Sequence, residues 1–212
     1  MIKVAVIDSG VNDKHPHIST VSGGAVVAPG ADSYLDILGH GTAVMAAIQE
    51  KAPTAEFYAV KVFHDTFRTN ITQLIEAITW ALDQRMDVIN LSLGTRNPAH
   101  IASFTPLIEA ALAQGCTLVS AIEAQGESAY PGSLPGVISV GVDITCPRDQ
   151  FRYDSGVFLT SPYPRSLPGV PVERNLSGIS FAVANMSGIV ANALLHTTPA
   201  QLREALIAQP TH

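Results

Sequence analysis

Three short segments carry a carboxylate, an imidazole and a hydroxyl that could together perform nucleophilic catalysis. Asp8 closes the apolar run Val4-Ala5-Val6-Ile7 and is followed by the turn-forming Ser9-Gly10. A carboxylate at the end of a buried strand can orient an imidazole, though an Asp there can equally be a turn former or helix cap. His40 lies between Gly39 and Gly41, ahead of Thr42-Ala43-Val44-Met45-Ala46. Flanking glycines let the backbone pack closely, and a following helix would fix the ring. Ser180 stands in Ser177-Gly178-Ile179-Ser180-Phe181-Ala182-Val183-Ala184 and opens a long apolar segment. At a helix start its hydroxyl would sit near free backbone N–H groups. A plain N-capping serine is the alternative for that segment alone. A nucleophile, a base to take its proton and a carboxylate to hold the base are the parts that acyl transfer needs.

The elements that must position these residues alternate along the chain. Strand-like runs rich in Val, Ile or Leu are Lys3–Ile7, Glu56–Val62, Val88–Leu91, Thr117–Ala121 and Val137–Val142. Helix candidates are Thr42–Glu50, Thr72–Gln84, Pro106–Gln114, Phe181–Leu195 and Pro199–Ile207, the last with Thr198 as its N-cap. Near-continuous apolar strands alternating with helices predict an α/β fold of three layers, with a mainly parallel central sheet covered on both faces. In such sheets ligands bind beyond the carboxyl ends of the strands. Asp8, Ser92 and Glu123 fall at or just past those ends. The stretch from Asp143 to Ser177 is rich in Pro, Gly and Arg, and reads as loops with room for a short hairpin.

Bulk composition narrows the function classes. The chain has 212 residues, 47% hydrophobic and 14% charged, which suits one domain spanning 1–212 with an ample core. Its net charge of −6, with no Lys/Arg run, gives no electrostatic support for nucleic-acid binding. No apolar run is long enough for a membrane span, and the N-terminus lacks the features of a signal peptide. Two cysteines, Cys116 and Cys146, are too few for a secreted disulfide framework, so a cytoplasmic, reduced protein is the expectation. No histidine pair has zinc-ligand spacing: His15 and His17 flank Pro16 in a turn, while His64, His100, His196 and His212 are isolated.

Taken together, the three segments resemble the signature blocks of the subtilase (subtilisin-like) family, in that family's order Asp, His, Ser. Val88-Ile89-Asn90-Leu91-Ser92-Leu93-Gly94 resembles the family strand whose Ser-Leu-Gly end pairs with the substrate backbone. Tyr130-Pro131-Gly132-Ser133-Leu134-Pro135-Gly136-Val137 resembles the segment that follows the oxyanion loop. The likeness runs from Ile2 to about Leu195. It implies a pared-down subtilisin fold and peptide-bond hydrolysis without metal or cofactor. Asp8, His40 and Ser180 would be the catalytic residues, and Ser92, Leu93, Gly94, Glu123 and Ala124 would line the substrate.

The sequence departs from that family where the oxyanion is held. Aligned without gaps from Gly115 to Gly126, the family's Ala-Ala-Gly-Asn-Glu-Gly corresponds to Ala121-Ile122-Glu123-Ala124-Gln125-Gly126. The side-chain donor Asn is thus Ala124, and the Thr before the nucleophile is Ile179. Losing one such donor costs about 10²–10³ in turnover, in an example drawn from a relative. Slow turnover on a dedicated substrate, a substitute donor from Gln125, and a peptide binder that does not cut are the three explanations. Glu123 borders the expected pocket for the residue before the cleaved bond, where it could favour a basic side chain, be a protonated or solvated loop carboxylate, or block the pocket until substrate binds. The chain reads as having no propeptide domain. Small subtilases of this kind resemble leader peptidases for modified peptides. The expected partner is therefore a polypeptide substrate, with the protein acting as a monomer or alongside a peptide-modifying enzyme. A broad degradative peptidase is the other alternative.

Overall fold

The computed structural model describes residues 1–209, so His212 lies outside the described residues. The first strand, β1 (Lys3–Asp8), runs through the middle of the structure, and five of its six residues are buried. Its side chains alternate between two cores: Val4 and Val6 join one cluster, Ala5 and Ile7 the other. That period of two, with both faces apolar, is what a sheet covered on each side requires. After β2 (Gly23–Val26) come α1 (His40–Gln49), β3 (Glu56–Lys61), α2 (Ile71–Asp83) and β4 (Val88–Leu91). Next are α3 (Ile101–Gln114), β5 (Thr117–Ala121), the short pair β6 (Glu123–Ala124) and β7 (Glu127–Ser128), and β8 (Ile138–Val142). A hairpin of β9 (Arg152–Asp154) and β10 (Val157–Thr160) precedes α4 (Ile179–Ala193) and α5 (Pro199–Ile207).

The central sheet has eight strands in the order β2-β3-β1-β4-β5-β8-β10-β9. Every neighbouring pair is parallel except β9 with β10 at the edge. Helices α1, α4 and α5 pack in the core on one face, around Val44, Met45, Ile48, Met186 and Val190. Helices α2 and α3 fill the other with Leu74, Ile78, Phe104 and Ile108. The result is the three-layer α/β arrangement that the alternating strands and helices predict. The chain moves from β1 to β3 on one side and later to β4 on the other, so the strand order reverses at β1. Such a reversal opens a crevice at the carboxyl ends of the central strands.

Most boundaries follow from local chemistry. Helix α2 buries Leu74, Ala77, Ile78, Ala81 and Leu82 at helical spacing, and Asn70 with Gln73 forms a capping box at its start. Helix α3 begins at Ile101, five residues before the expected Pro106, which lies inside it. The start signal is Asn97-Pro98 instead: Asn97 Oδ1 accepts from the Ala99 N–H and opens a 3₁₀ turn that runs into the helix. At α5, Thr198 occupies the cap position, but its hydroxyl donates to Gln201 Oε1 and leaves the backbone uncapped by a side chain. Strand β2, with two glycines in four residues, is an element that the sequence pattern does not predict.

Candidate active site

The carboxyl end of β1 delivers Asp8, a buried residue, into the crevice. Its Oδ1 accepts from the Ser9 N–H at 2.7 Å and from His40 Nδ1 at 2.8 Å. His40 is the first residue of α1, entered through Gly39 in the left-handed conformation at φ 83°. A side chain on Gly41 would run into the Gly10 carbonyl, so glycine at 41 is what lets the start of α1 lie against the Asp8 turn. The imidazole is also held between aromatic rings, Phe67 at 5.5 Å edge-on and Phe181 at 5.4 Å between centroids. Burial by itself pulls the His40 pKa down. The Asp8 hydrogen bond, the Asp8 charge and the more distant Asp36 charge outweigh it, and the net direction is up.

Ser180 is the second residue of α4, directly before the Phe181 that touches His40. Its hydroxyl donates to the Ser92 carbonyl at 3.1 Å, and the Ser92 hydroxyl donates in return to the Ser180 carbonyl at 3.3 Å. Behind Ser92 stands a buried amide: Asn90 Nδ2 donates to Ser92 Oγ, and Asn90 Oδ1 accepts from Ser187 Oγ, each at 2.9 Å. The end of β4 and the first three turns of α4 are thereby fixed to each other. His40 Nε2 has no hydrogen-bond partner among the described residues. Hydrogen bonds that complete a catalytic set are commonly loose until substrate is bound.

The remaining predicted residues border the same crevice end. Ser92 and Leu93 are half-buried just past β4, and Gly94 is exposed. Thr95 makes a two-way antiparallel bridge with Tyr130. Glu123 and Ala124 form β6, which pairs with β7 through a two-residue turn. Gln125 and Gly126 make that turn with φ of 57° and 78°, the positive values a tight hairpin needs. Gln125 is thus exposed at a hairpin tip, and its side chain has no hydrogen bond among the described residues. Glu123 is also exposed, while Ala124 is half-buried and brings no polar side chain. Arg96 and Glu127 tie the hairpin to the segment after β4 through a 3.0 Å ion pair on the surface.

Sequence reasoning passed over several side chains that the fold brings here. Asn90 is one, legible only as a lone amide in an apolar strand. Phe67 is another, an aromatic in a polar loop. Asp36, four residues before His40, is a third. A cavity of about 400 Å³ opens beside α1, between Ile37, Leu38 and Gly39 on one side and Leu167 and Leu176 on the other. A wider cleft of about 780 Å³ lies around Glu50, Lys51, Arg148 and His196, at the far end of α1 from His40. No group of three or more His, Cys, Asp or Glu suited to a metal ion occurs among the described residues. No helix there is long and apolar enough to cross a membrane.

Residues 1–210 match the model of the subtilase family. Subtilisin E of Bacillus subtilis (strain 168) is 30% identical over 237 aligned residues, covering all of this chain and 61% of the relative. Subtilisin BL of Lederbergia lenta is 33% identical over 206 residues, covering 90% of this chain and 75% of the relative. The chain therefore spans less than two thirds of the length of several curated relatives that it matches. Among solved structures, a cold adapted subtilisin-like serine proteinase aligns with a TM-score of 0.79 at 21% identity, over 100% of this chain and 82% of that one. A lanthipeptide protease aligns at 0.73 and 18% identity, over 99% and 76%. The prenylagaramide maturation protease PagA aligns at 0.70 and 23% identity, over 96% and 78%. At these identities the likeness is one of fold.

Proposed function

The chain belongs to the subtilase family, and on that premise we propose that it is a serine endopeptidase with Asp8, His40 and Ser180 as its catalytic residues. The observation that carries this is the 2.8 Å bond from a fully buried Asp8 to His40 Nδ1, beside the helix start that bears Ser180. With Nδ1–H committed to Asp8, Nε2 is the free, basic nitrogen. Ser180 Oγ attacks the scissile carbonyl carbon while His40 Nε2 takes the hydroxyl proton. The tetrahedral adduct collapses, the amine leaves with the proton from His40, and water resolves the acyl-enzyme by the same route reversed. The backbone N–H of Ser180 is available to the oxyanion at the helix start, where the macrodipole favours negative charge. Ser92, Leu93 and Gly94 bind the substrate backbone, and Glu123 and Ala124 flank the residue before the cleaved bond.

The substrate class proposed is a leader-bearing peptide or small subunit, cut once inside the cell. Two structural neighbours are named as proteases of a lanthipeptide and of prenylagaramide maturation, which is consistent with that class. Ala124 in place of an amide donor favours a slow, dedicated enzyme over a broad one. The finer reading is the maturation protease that trims the leader from the cross-linked small subunit of quinohaemoprotein amine dehydrogenase. It rests on these departures from the family. In this reading the protein is cytoplasmic, needs no cofactor, and works as a monomer or beside the modifying enzyme. The same missing donor supports a second reading, a peptide-binding module that does not cut.

A fluorophosphonate active-site probe followed by mass spectrometry separates the two. Labelling at Ser180 that disappears in His40→Ala and in Ser180→Ala supports the endopeptidase. Absence of labelling over hours, with Ser180→Ala keeping its biological role, supports the binder. A panel of unrelated peptides then tests breadth: cleavage of many of them would refute the dedicated role.

A further inference from the structure

Four residues upstream of His40, Asp36 is buried and accepts five hydrogen bonds, far more than a turn former needs. Its Oδ1 accepts from Ser9 Oγ at 2.9 Å and from the N–H groups of Leu38 at 2.9 Å and Gly39 at 2.8 Å. Its Oδ2 accepts from the Thr42 N–H at 2.9 Å and the Thr42 hydroxyl at 2.6 Å. Ser9, fully buried and next to Asp8, completes the link by accepting from the Gly41 N–H at 2.9 Å. The Asp36 carboxylate therefore grips both sides of His40 directly, at Gly39 and Thr42, and grips the Asp8 turn through Ser9. Lys61, also buried, closes the far side. Its Nζ donates to the carbonyls of Ser9 at 2.9 Å and Leu35 at 2.6 Å, so the segments flanking Asp8 and Asp36 hang on one cation.

We infer that Asp36 is the positioning residue for His40, holding the start of α1 against the Asp8 turn so that the imidazole meets the Asp8 carboxylate. The inference rests on the proposed role of His40 as general base. Beside this clasp, the direct ties between the two segments are the Asp8–His40 bond itself and the bond from the Asn12 N–H to the Thr42 hydroxyl at 3.0 Å, whose oxygen Asp36 also holds. A burial this complete, with a carboxylate whose lone pairs are all used, rigidifies what it connects. Displacing a catalytic group by about 1 Å costs roughly 10²-fold in rate.

The groups facing His40 are Asp8 from β1 and Asp36 from the turn before α1, with the uncharged rings of Phe67 and Phe181 on its other sides. Lys61 of β3 lies behind Ser9. Both carboxylates favour the protonated imidazole, so removing the Asp36 charge also moves the titration of His40 to lower pH.

The test compares wild type, Asp36→Asn and the milder Ser9→Ala, each checked for folding by circular dichroism. Two readouts are taken: fluorophosphonate labelling rate against pH, and the His40 proton spectrum by NMR in a Ser180→Ala background. For Asp36→Asn the expected result is labelling slowed by about 10²-fold, with the ascending limb of the pH profile displaced to lower pH. The downfield Nδ1–H signal of the His40–Asp8 bond should be lost or exchange fast. Ser9→Ala, which keeps the Asp36 charge, should slow labelling and weaken the Nδ1–H signal to a smaller degree, which keeps the test open if Asp36→Asn fails to fold. Slower labelling with an unmoved pH limb and an intact Nδ1–H signal would overturn the inference, as would wild-type behaviour in both variants. Failure of the endopeptidase reading looks different: wild type itself would go unlabelled, while the NMR signal still reports whether Asp36 positions the ring.

Discussion

Replacing Asp8 by Asn keeps the shape of the side chain and removes its charge, and the hydrogen bonds around it set the size of the effect. Oδ1 is shared between the Ser9 N–H at 2.7 Å and His40 Nδ1 at 2.8 Å, while Oδ2 has no partner among the described residues. The amide therefore has two orientations. With its oxygen on the shared side, both bonds survive, and the NH₂ is buried without an acceptor at a cost of about 1–3 kcal/mol. With its NH₂ on the shared side it faces the Ser9 N–H, and His40 must present a bare Nδ1, which moves the ring proton to Nε2. An imidazole in that tautomer cannot take the Ser180 proton, and the corresponding change in a serine protease triad costs about 10⁴ in turnover. That is about 5.4 kcal/mol of transition-state stabilisation, larger than the expected stability loss. The expected outcome is a labelling rate down about 10⁴-fold, with an unfolding free energy lower by only about 1–3 kcal/mol.

The pH dependence gives a second check on the same variant. In the wild type, His40 is held above its ordinary 6.5 because Asp8 and Asp36 outweigh burial, and the neutral ring is the active form. The rate should thus rise with pH through a midpoint above 6.5, and in Asp8→Asn the limb should move to lower pH. A raised folded-state pKa adds stability that is fully present below the unfolded value and is lost as pH rises through the folded one. The His40 share of the stability gap between wild type and variant is therefore full below the unfolded value of about 6.5 and is lost as pH rises through the raised folded-state value. Labelling by Asp8→Asn within tenfold of wild type, with the limb unmoved, would refute the assignment of His40 as a base oriented by Asp8.

Three further outcomes follow from single sites. Ala124→Asn should raise the hydrolysis or labelling rate by up to about 10²-fold, and an unchanged rate would mean that another donor already serves the oxyanion. Lys51→Met should stabilise the protein at pH 7 by about 1–3 kcal/mol. Burial first, and then the charge of Arg148, depress the Lys51 ammonium to about 8 against the pull of Glu50. The unfolded chain holds more protons between that value and 10.5, so wild-type stability climbs across the window and the gap should close in urea melts run at pH 7 and pH 10. Phe158→Ala should cost about 3–5 kcal/mol in the same melts. The ring is fully buried against Phe151 at 5.5 Å and Tyr153 at 4.9 Å, with the Arg203 guanidinium 5.8 Å above it. A loss under 1 kcal/mol would mean that the edge hairpin is not part of the cooperative core.

What the sequence made legible, and what it hid, divides by the range of the interaction. The central strands stand out because burial on both faces demands unbroken apolar runs such as Val4–Ile7, and the pattern is local. Glycines around His40 stand out for the same reason, since the close approach of Gly41 to the Asp8 turn is a steric demand on one residue. Strand β2 was hidden because Gly23 and Gly24 offer no side-chain pattern, and its pairing with β3 is supplied wholly by the partner strand. The start of α3 was hidden because two prolines competed for it, and Pro106 is tolerated inside the helix once Asn97 and Pro98 have set its direction. The polar supports of the site are the least legible. Asp36 sits in Asp32-Ser33-Tyr34-Leu35-Asp36, a stretch with no periodicity to mark it, and nothing in the run Glu56–Val62 singles out Lys61 as a support, because lysine is rarely buried. Asn90 meets Ser187 across 97 residues, and Ser9 meets Asp36 across 27. A charged or amide side chain becomes a buried support only when its partners arrive from elsewhere in the chain. For that reason the residues expected to do chemistry can be picked out one segment at a time, while the residues that hold them still emerge only from the assembled fold.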